Sequence, residues 1–178
     1  FLIANAGILR DKSFKNMTNE MWDIVVDVHL RGTYLTVKAA YDQMIEQGHG
    51  GSIVVTSSTS GLIGNFGQTN YGAAKAGIAG FARCLFQEGL KYGIRVNILA
   101  PAAWSRLTED IFPQGQGMEE LLSPDKVSPI VAWLGSDDAK EVTGRTFLAQ
   151  GNNVTLLSWQ AHSLASKDNK EDPWDVEE

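Results

Sequence analysis

The sequence predicts an α/β domain in which short buried strands alternate with long amphipathic helices. The apolar runs at residues 1–4 and 53–56 are short and lack polar alternation, which is typical of parallel strands buried on both faces. Between these runs, apolar residues from 22 to 44 recur at helical spacing. Strands and helices that alternate along a chain favour a parallel sheet with helices packed against it.

Capping and turn residues set the predicted limits of the helices. Thr18 offers an N-cap for a first helix that begins near residue 19 and ends before Gly48. Gly32 within this helix costs about 1 kcal/mol relative to alanine, so we expect a packing or bending reason for it. A second helix is predicted from Tyr71 to about residue 91, and it is dense in glycine and alanine.

The last third of the chain continues the same alternation. A β-branched strand is predicted at 94–99, ended by the Ala-Pro pair that follows, and a last strand at 146–149. A Ser-Pro-Asp opening predicts a helix from 123 to about 134. Residues 108–118 combine glycine, glutamine and proline, which is typical of a mobile lid over a substrate.

Composition narrows the possible function classes. The chain has 178 residues, 43% of them hydrophobic, which suits one globular domain with a sizeable core. Its net charge is −6 and no basic patch stands out, so we expect neither nucleic acid nor a membrane as partner. The single cysteine, Cys84, excludes an intrachain disulfide within this sequence, and its place on an apolar helix pattern predicts a core residue.

A serine, a tyrosine and a lysine form the strongest chemical motif. Tyr71 lies thirteen residues after Ser58, and Lys75 follows four residues later on the same predicted helix face. Ser58 comes just after a predicted strand, where open α/β sheets bind ligands. An ammonium beside a phenol favours the phenolate, so this set can move a proton to or from an alcohol or carbonyl oxygen.

Four further blocks occur in order around this motif. They are Asn-Ala-Gly-Ile-Leu-Arg-Asp at 5–11, Val-His-Leu-Arg-Gly at 28–32, Gly-Asn-Phe-Gly-Gln at 64–68, and Ser-Arg at 105–106. Together they resemble the short-chain dehydrogenase/reductase superfamily. Within this superfamily, the sequences of the blocks are most similar to the (3R)-hydroxyacyl-CoA dehydrogenase domains of peroxisomal type-2 multifunctional enzymes and their bacterial relatives. The resemblance extends from Phe1 to about Leu134.

The resemblance implies a Rossmann-type doubly wound parallel sheet with helices on both faces. In that family a Gly-x-x-x-Gly-x-Gly turn on the first strand holds the cofactor pyrophosphate, and no such turn occurs here. A typical member would carry roughly 90 more residues before Phe1. We therefore expect the C-terminal catalytic portion of such a domain over residues 1–160, followed by an acidic, disordered tail at 161–178.

The resemblance also implies roles for individual residues. Tyr71 is the expected acid–base, Lys75 assists it and binds the cofactor ribose, and Ser58 orients the reacting oxygen. The cofactor is expected to be NAD or NADP. Its expected contacts, besides Tyr71 and Lys75, lie after two predicted strands, at Asn5, Ala6, Gly7, Pro101, Ala103, Trp104 and Ser105.

His29 occupies a position where most of the superfamily has an asparagine. That asparagine holds, through its main-chain carbonyl, a water that connects the lysine to solvent. Because a main-chain carbonyl is kept when the side chain changes, residue 29 can still hold this water, and His29 is therefore a candidate catalytic residue. The alternative is that His29 is an ordinary, partly buried histidine without a catalytic role. A lone histidine does not indicate a metal site, and none is expected.

Three functions are compatible with these patterns. The first is oxidation of a (3R)-3-hydroxyacyl thioester, and the second is NADPH-dependent reduction of a 3-oxoacyl thioester or another carbonyl. The third is a non-catalytic remnant that acts through helix pairing. The resemblance implies a homodimer or tetramer through the helices at 19–47 and 70–91, located in the cytoplasm or, in a eukaryote, in the peroxisomal matrix.

Overall fold

A computed structural model describes residues 1–105, 108 and 117–164. In this part of the chain the sheet has five strands in the order β1-β2-β3-β4-β5. They are β1 (Leu2–Ala4), β2 (Gly51–Thr56), β3 (Ile94–Ala102), β4 (Thr146–Gln150) and β5 (Asn153–Leu157). The first four strands are parallel and β5 is antiparallel to β4. The predicted α/β class and Rossmann-type layout are confirmed.

Helices connect the strands and cover both faces of the sheet. The longer ones are α1 (Asn19–Val26), α2 (Gly32–Gln47), α4 (Thr69–Gly89) and α6 (Ser128–Gly135). Two single turns, α3 (Thr59–Leu62) and α5 (Met118–Leu121), precede α4 and α6. Short 3₁₀ turns lie at Phe14–Asn16, Leu90–Tyr92, Pro124–Lys126 and Asp137–Ala139.

The first predicted helix contains a widened turn. A π-helical turn at Asp27–Arg31 joins α1 to α2, and the Gly32 N–H donates to the carbonyl of Asp27 five residues back. Thr18 caps the helix start through a hydrogen bond from the Met21 N–H, and Gly48 ends it with φ of 73°. The expected bend near Gly32 is therefore a π-turn, which places His29 on the side of α4.

Each face of the sheet carries its own core. Alternation along β2 sends Ile53 and Val55 toward α2 and α4, and sends Val54 toward α6. The first core also contains Val37, Tyr41 and Met44 of α2 and Ile78, Ala79 and Ala82 of α4. The second core joins Val54 to Leu99, Leu134, Phe147 and Ala149.

Two predictions about strands are wrong in detail. β3 continues through Pro101 to Ala102, because beyond Leu99 it pairs with β4 alone and a residue without an N–H is tolerated there. The strand β5 was not predicted. It pairs antiparallel with β4 after a turn at Gly151, whose φ is 53°.

Two predictions about helices also need correction. Cys84 lies on the exposed side of α4, so it is not a core residue of the single chain. The helix predicted from residue 123 begins as the 3₁₀ turn Pro124–Lys126, and α6 starts at Ser128. Most of the predicted lid and the tail from residue 165 lie outside the described residues.

Candidate active site

Ser58, Tyr71 and Lys75 meet at the carboxyl end of β2. Ser58 follows the strand and caps α3, with its hydroxyl oxygen accepting from the Ser60 N–H at 3.2 Å. Tyr71 and Lys75 lie one turn apart near the start of α4, and the Lys75 ammonium is 5.5 Å from the centre of the Tyr71 ring. The Ser58 hydroxyl lies close enough to the Tyr71 phenol to lower its pKa. The structure thus brings the predicted triad together.

Lys75 is a buried cation. Its side chain is 3% exposed, and its Nζ donates to the carbonyl oxygen of Thr56 at 2.8 Å. Burial lowers the pKa of Lys75 from 10.5 to about 8, because the charged form loses hydration that one carbonyl does not replace. An ammonium has three donors, so Lys75 can hold Thr56 and a ligand hydroxyl at once.

Tyr71 does not show the expected net change in acidity. Burial raises the pKa of Tyr71, the hydrogen bond with Ser58 acts in the opposite direction, and the carboxylate of Asp11 raises it further. The ammonium of Lys75, which was expected to favour the phenolate, does not reverse this net rise of the Tyr71 pKa. Desolvation of the phenolate outweighs the favourable contacts because the ring is largely enclosed.

His29 is fully enclosed, which corrects the alternative of a partly buried residue. Its ring meets the Tyr71 ring edge-on, with centres 5.0 Å apart. Nε2 lies 3.0 Å from the main-chain nitrogen of Ile8 and 2.7 Å from its carbonyl oxygen. A protonated Nε2 can donate to this oxygen, and an unprotonated Nε2 can accept from the Ile8 N–H, so either neutral tautomer makes one hydrogen bond. Nδ1 is buried without a hydrogen-bond partner in the described residues. Burial lowers the pKa of His29, and the positive charge of Lys75 lowers it further. The hydrogen bond with the Ile8 main chain raises this pKa but does not outweigh burial.

The Asn5-Ala6-Gly7 turn follows β1 at the same edge of the sheet. Asn5 and Ala6 are exposed, whereas Gly7 lies against the imidazole of His29. A Cβ at Gly7 would come within 2.4 Å of the His29 Cε1 atom, so only glycine fits there. The turn and the triad therefore share one packed neighbourhood.

Pro101, Ala103, Trp104 and Ser105 continue from β3 at this edge and are half-buried. The Trp104 N–H donates to the Leu122 carbonyl at 2.7 Å, which ties the segment to the end of α5. The Thr108 hydroxyl donates to the Ala103 carbonyl at 2.6 Å and accepts from the Ser105 N–H at 2.9 Å. Ala102 still lies in β3, so its backbone is extended and unstrained.

Three polar residues that support the triad were missed. Ser57, which follows β2, is buried and donates to the Lys75 carbonyl at 2.8 Å. Asn70 is buried too. Its amide nitrogen donates to the Arg10 and Met21 carbonyls, and its oxygen accepts from the Tyr71 N–H at 2.7 Å. The third, Gln68, is also buried. Ser57 and Asn70 adjoin Ser58 and Tyr71 in sequence and Gln68 ends the block at 64–68, but neither signal reveals burial.

Within residues 1–105, 108 and 117–164, no three His, Cys, Asp or Glu side chains are grouped as a metal site would require. None of the described helices is long and apolar enough to span a membrane.

Comparison with known proteins gives the same picture as the geometry. The profile of the short chain dehydrogenase family matches residues 1–111. The chain is 46% identical to a peroxisomal hydratase-dehydrogenase-epimerase of Neurospora crassa, over 91% of this chain and 18% of that protein. It is 44% identical to mouse peroxisomal multifunctional enzyme type 2, over 89% of this chain and 21% of that protein. It is 37% identical to an acetoacetyl-CoA reductase of Acinetobacter, over 84% and 63%.

Solved structures extend this likeness to the fold. A short chain dehydrogenase from Mycobacterium avium superimposes with a TM-score of 0.81 at 38% identity, over 99% of this chain and 61% of that one. A short chain dehydrogenase from Mycobacterium paratuberculosis bound to NAD superimposes with a TM-score of 0.74 at 27% identity, over 84% and 62%. The chain spans less than two thirds of the length of each of these relatives.

Proposed function

Because this chain belongs to the short-chain dehydrogenase family, we propose that it is the catalytic portion of an NAD(P)-dependent oxidoreductase acting on an acyl thioester. The proposed reaction is oxidation of a (3R)-3-hydroxyacyl-CoA to the 3-oxoacyl-CoA. The name of the peroxisomal hydratase-dehydrogenase-epimerase includes a dehydrogenase, which supports the reaction type. The name of the acetoacetyl-CoA reductase supports an acyl-CoA substrate. The observation that carries the proposal is the cluster of Ser58, Tyr71 and Lys75 at the carboxyl end of β2.

The residues of the chain divide the work on the reacting hydroxyl. Ser58 donates a hydrogen bond that orients the substrate oxygen, and Tyr71 as phenolate takes the hydroxyl proton. Lys75 stabilises the phenolate by its charge and keeps donors free for a ribose hydroxyl beyond its bond to Thr56. When bound, the nicotinamide accepts the hydride that leaves C3 of the substrate.

The surroundings of the triad fit a bound dinucleotide. Asn5, Ala6 and Gly7 and the segment from Pro101 to Ser105 flank the triad at the ends of β1 and β3, and we propose that they contact the cofactor. Open α/β sheets bind nucleotides at this edge. His29 is proposed to hold the turn at Gly7 and Ile8 against Tyr71, through its Nε2 contact and its packing.

Replacement of Tyr71 by phenylalanine tests the reaction. In the intact protein, Tyr71→Phe should remove nearly all turnover of a 3-hydroxyacyl thioester, because the base is lost while the ring packing is kept. Tyr92→Phe, on the 3₁₀ turn after α4, is the matched control and should leave turnover unchanged. A Tyr71→Phe protein that kept a tenth of the activity would contradict the assignment.

Reduction of a 3-oxoacyl thioester with NADPH is the second candidate. The name of the acetoacetyl-CoA reductase among the relatives favours it. Turnover measured in both directions with each of the four nicotinamide cofactors separates the two candidates. A preference for NADPH and the 3-oxo substrate would replace the dehydrogenase proposal with the reductase.

A non-catalytic role through association is the third candidate. Tyr34 and Leu35 on α2 are 48% and 55% exposed, and the Tyr34 ring meets the Phe81 ring of α4 edge-on with centres 6.5 Å apart. We propose a homodimer or tetramer through the helices at 19–47 and 70–91, in the cytoplasm or the peroxisomal matrix. Titration of NAD followed by tryptophan fluorescence decides between the roles, since a remnant would show no binding at millimolar cofactor.

A further inference from the structure

Gln68 joins two loops that lie on either side of the triad. It ends the loop between α3 and α4, and its side chain is almost fully buried. Its amide nitrogen donates to the Asp11 carboxylate at 2.6 Å, in the segment that follows β1. The neighbouring main chains are joined as well, because the Lys12 N–H donates to the Gly67 carbonyl at 2.9 Å.

The other end of the Gln68 amide leads to the catalytic serine. Its oxygen accepts from the Ser60 hydroxyl at 2.7 Å and from the Asn65 amide at 3.1 Å. Ser60 in turn donates its N–H to the Ser58 hydroxyl oxygen at 3.2 Å. One continuous chain of hydrogen bonds therefore runs from Asp11 through Gln68 and Ser60 to Ser58.

Gln68 is also connected to the catalytic tyrosine. Its main-chain carbonyl accepts from the Gly72 N–H at 2.7 Å, in the first turn of α4, next to Tyr71. Ser58 and Tyr71 belong to different elements, so their separation depends on how the loop between them is closed. Gln68 is the residue at which that loop contacts both ends.

We propose that Gln68 is a positioning residue that fixes Ser58 against the Tyr71 hydroxyl, with Asp11 anchoring its amide. This inference deepens the function proposed above and rests on it for its catalytic meaning. A glutamine is required because one end must donate to a carboxylate while the other accepts from a hydroxyl. Glutamate would place a second negative charge beside Asp11, and alanine would leave Ser60 without its partner.

The acidity of Tyr71 reports this geometry. The Ser58 hydrogen bond lowers the pKa of Tyr71, since it stabilises the phenolate more than the phenol. The charged or titratable groups that face Tyr71 in the described residues are Lys75 on its own helix, His29 on the π-turn and Asp11 after β1. Gln68 is neutral, so its removal changes this pKa through Ser58 or through Asp11 and not through a charge of its own.

The experiment is a titration of Tyr71 that needs no turnover. The intact protein is labelled with ¹³Cζ-tyrosine, the Tyr71 resonance is assigned by its loss in Tyr71→Phe, and its shift is followed against pH. Ser58→Ala should raise the midpoint by roughly one pH unit. Gln68→Ala should raise it in the same direction, and it should add nothing further when combined with Ser58→Ala.

Matched variants separate positioning from general loop stability. Asn65→Ala removes the other bond to the same Gln68 oxygen and should leave the midpoint unchanged, whereas Ser60→Ala should reproduce the effect of Gln68→Ala. Ser60→Ala also replaces Gln68→Ala if the latter fails to fold. Asp11→Asn keeps an acceptor for Gln68 while removing the charge, and should lower the midpoint slightly.

Clear outcomes would overturn the inference. An unchanged midpoint in folded Gln68→Ala, or in folded Ser60→Ala where it replaces Gln68→Ala, contradicts it. So does an equal shift with and without Ser58. Because the titration reads geometry, a protein that lacks the proposed activity can still show the coupled shifts, and an active protein can lack them. Failure of the function and failure of the positioning role are therefore distinguished.

Discussion

One face of the sheet is covered by α2 and α4, whereas the described residues cover the other face chiefly with α6. The first face has a continuous core that includes Ile53, Val55 and Ile78, and the second has a smaller cluster around Val54 and Leu134. Ile3, which pairs with Val54 and so points to the second face, remains 43% exposed. The two faces thus bury very different amounts of apolar surface.

The more thickly covered face is also the one that holds the buried titratable groups, whereas the buried polar side chains of the second face, Ser52 and Asn97, are neutral and donate to main-chain carbonyls. His29, Asn70 and Lys75 are all at most 3% exposed there, and the last is a cation. A buried ammonium is costly unless the surrounding structure holds it in place. The face with the larger apolar core therefore also carries the proton-transfer groups, because its packing offsets the cost of enclosing them.

The largest expected difference between the faces concerns the pH dependence of stability. The pKa of Lys75 falls from 10.5 to about 8 on folding, so between these pH values only the unfolded chain holds the proton. The free energy of unfolding should therefore rise with pH through this window, by about 3 kcal/mol in total. Lys75→Met should lack that rise in urea-unfolding titrations from pH 7.5 to 10.5.

Lys140→Met, at an exposed position, is the control and should keep the full pH slope of the natural protein. Other titrating groups contribute equally to all three proteins, so only the difference between slopes matters. Equal slopes in Lys75→Met and the natural protein would show that the ammonium is hydrated, and the contrast between the faces would lose its main support.

A second test compares two neighbouring valines of β2. Val54 and Val55 are both fully buried but point to opposite faces. Val55→Ala should cost roughly 2–3 kcal/mol of unfolding free energy, and Val54→Ala roughly 1–2 kcal/mol, because the thinner face can relax into the cavity. Chemical denaturation of both variants measures this, and equal losses would mean that the two faces are equally rigid at the centre of the sheet.

The smallest effect is expected at the outer surface of α4. Cys84 is exposed there, so its thiol should react with a thiol reagent in the folded protein at a rate close to that in urea. Modification should leave the stability of a single chain almost unchanged. Protection that grows with protein concentration would show that this surface is covered by a second copy, and protection at every concentration would contradict the exposed position.

Much of the fold could be predicted from sequence patterns among neighbouring residues. The helix periods, the Thr18 cap, the Gly48 end and the apolar runs of the parallel strands are all properties of neighbouring residues. The strand β5 could not be predicted in this way, because its residues are largely exposed and it is defined by pairing with β4. The continuation of β3 through Pro101 likewise depends on which neighbouring strands still pair with it.

For the site, the sequence by itself determined that Ser58, Tyr71 and Lys75 share one edge, since strand order and helix spacing require it. Only the tertiary structure decided their environment. It encloses Lys75 and His29, closes Gly7 onto the imidazole and links Asp11 to Gln68 across 57 residues of chain. The physical reason is that acidity and hydrogen bonding depend on burial and on partners distant in sequence, which no local pattern records.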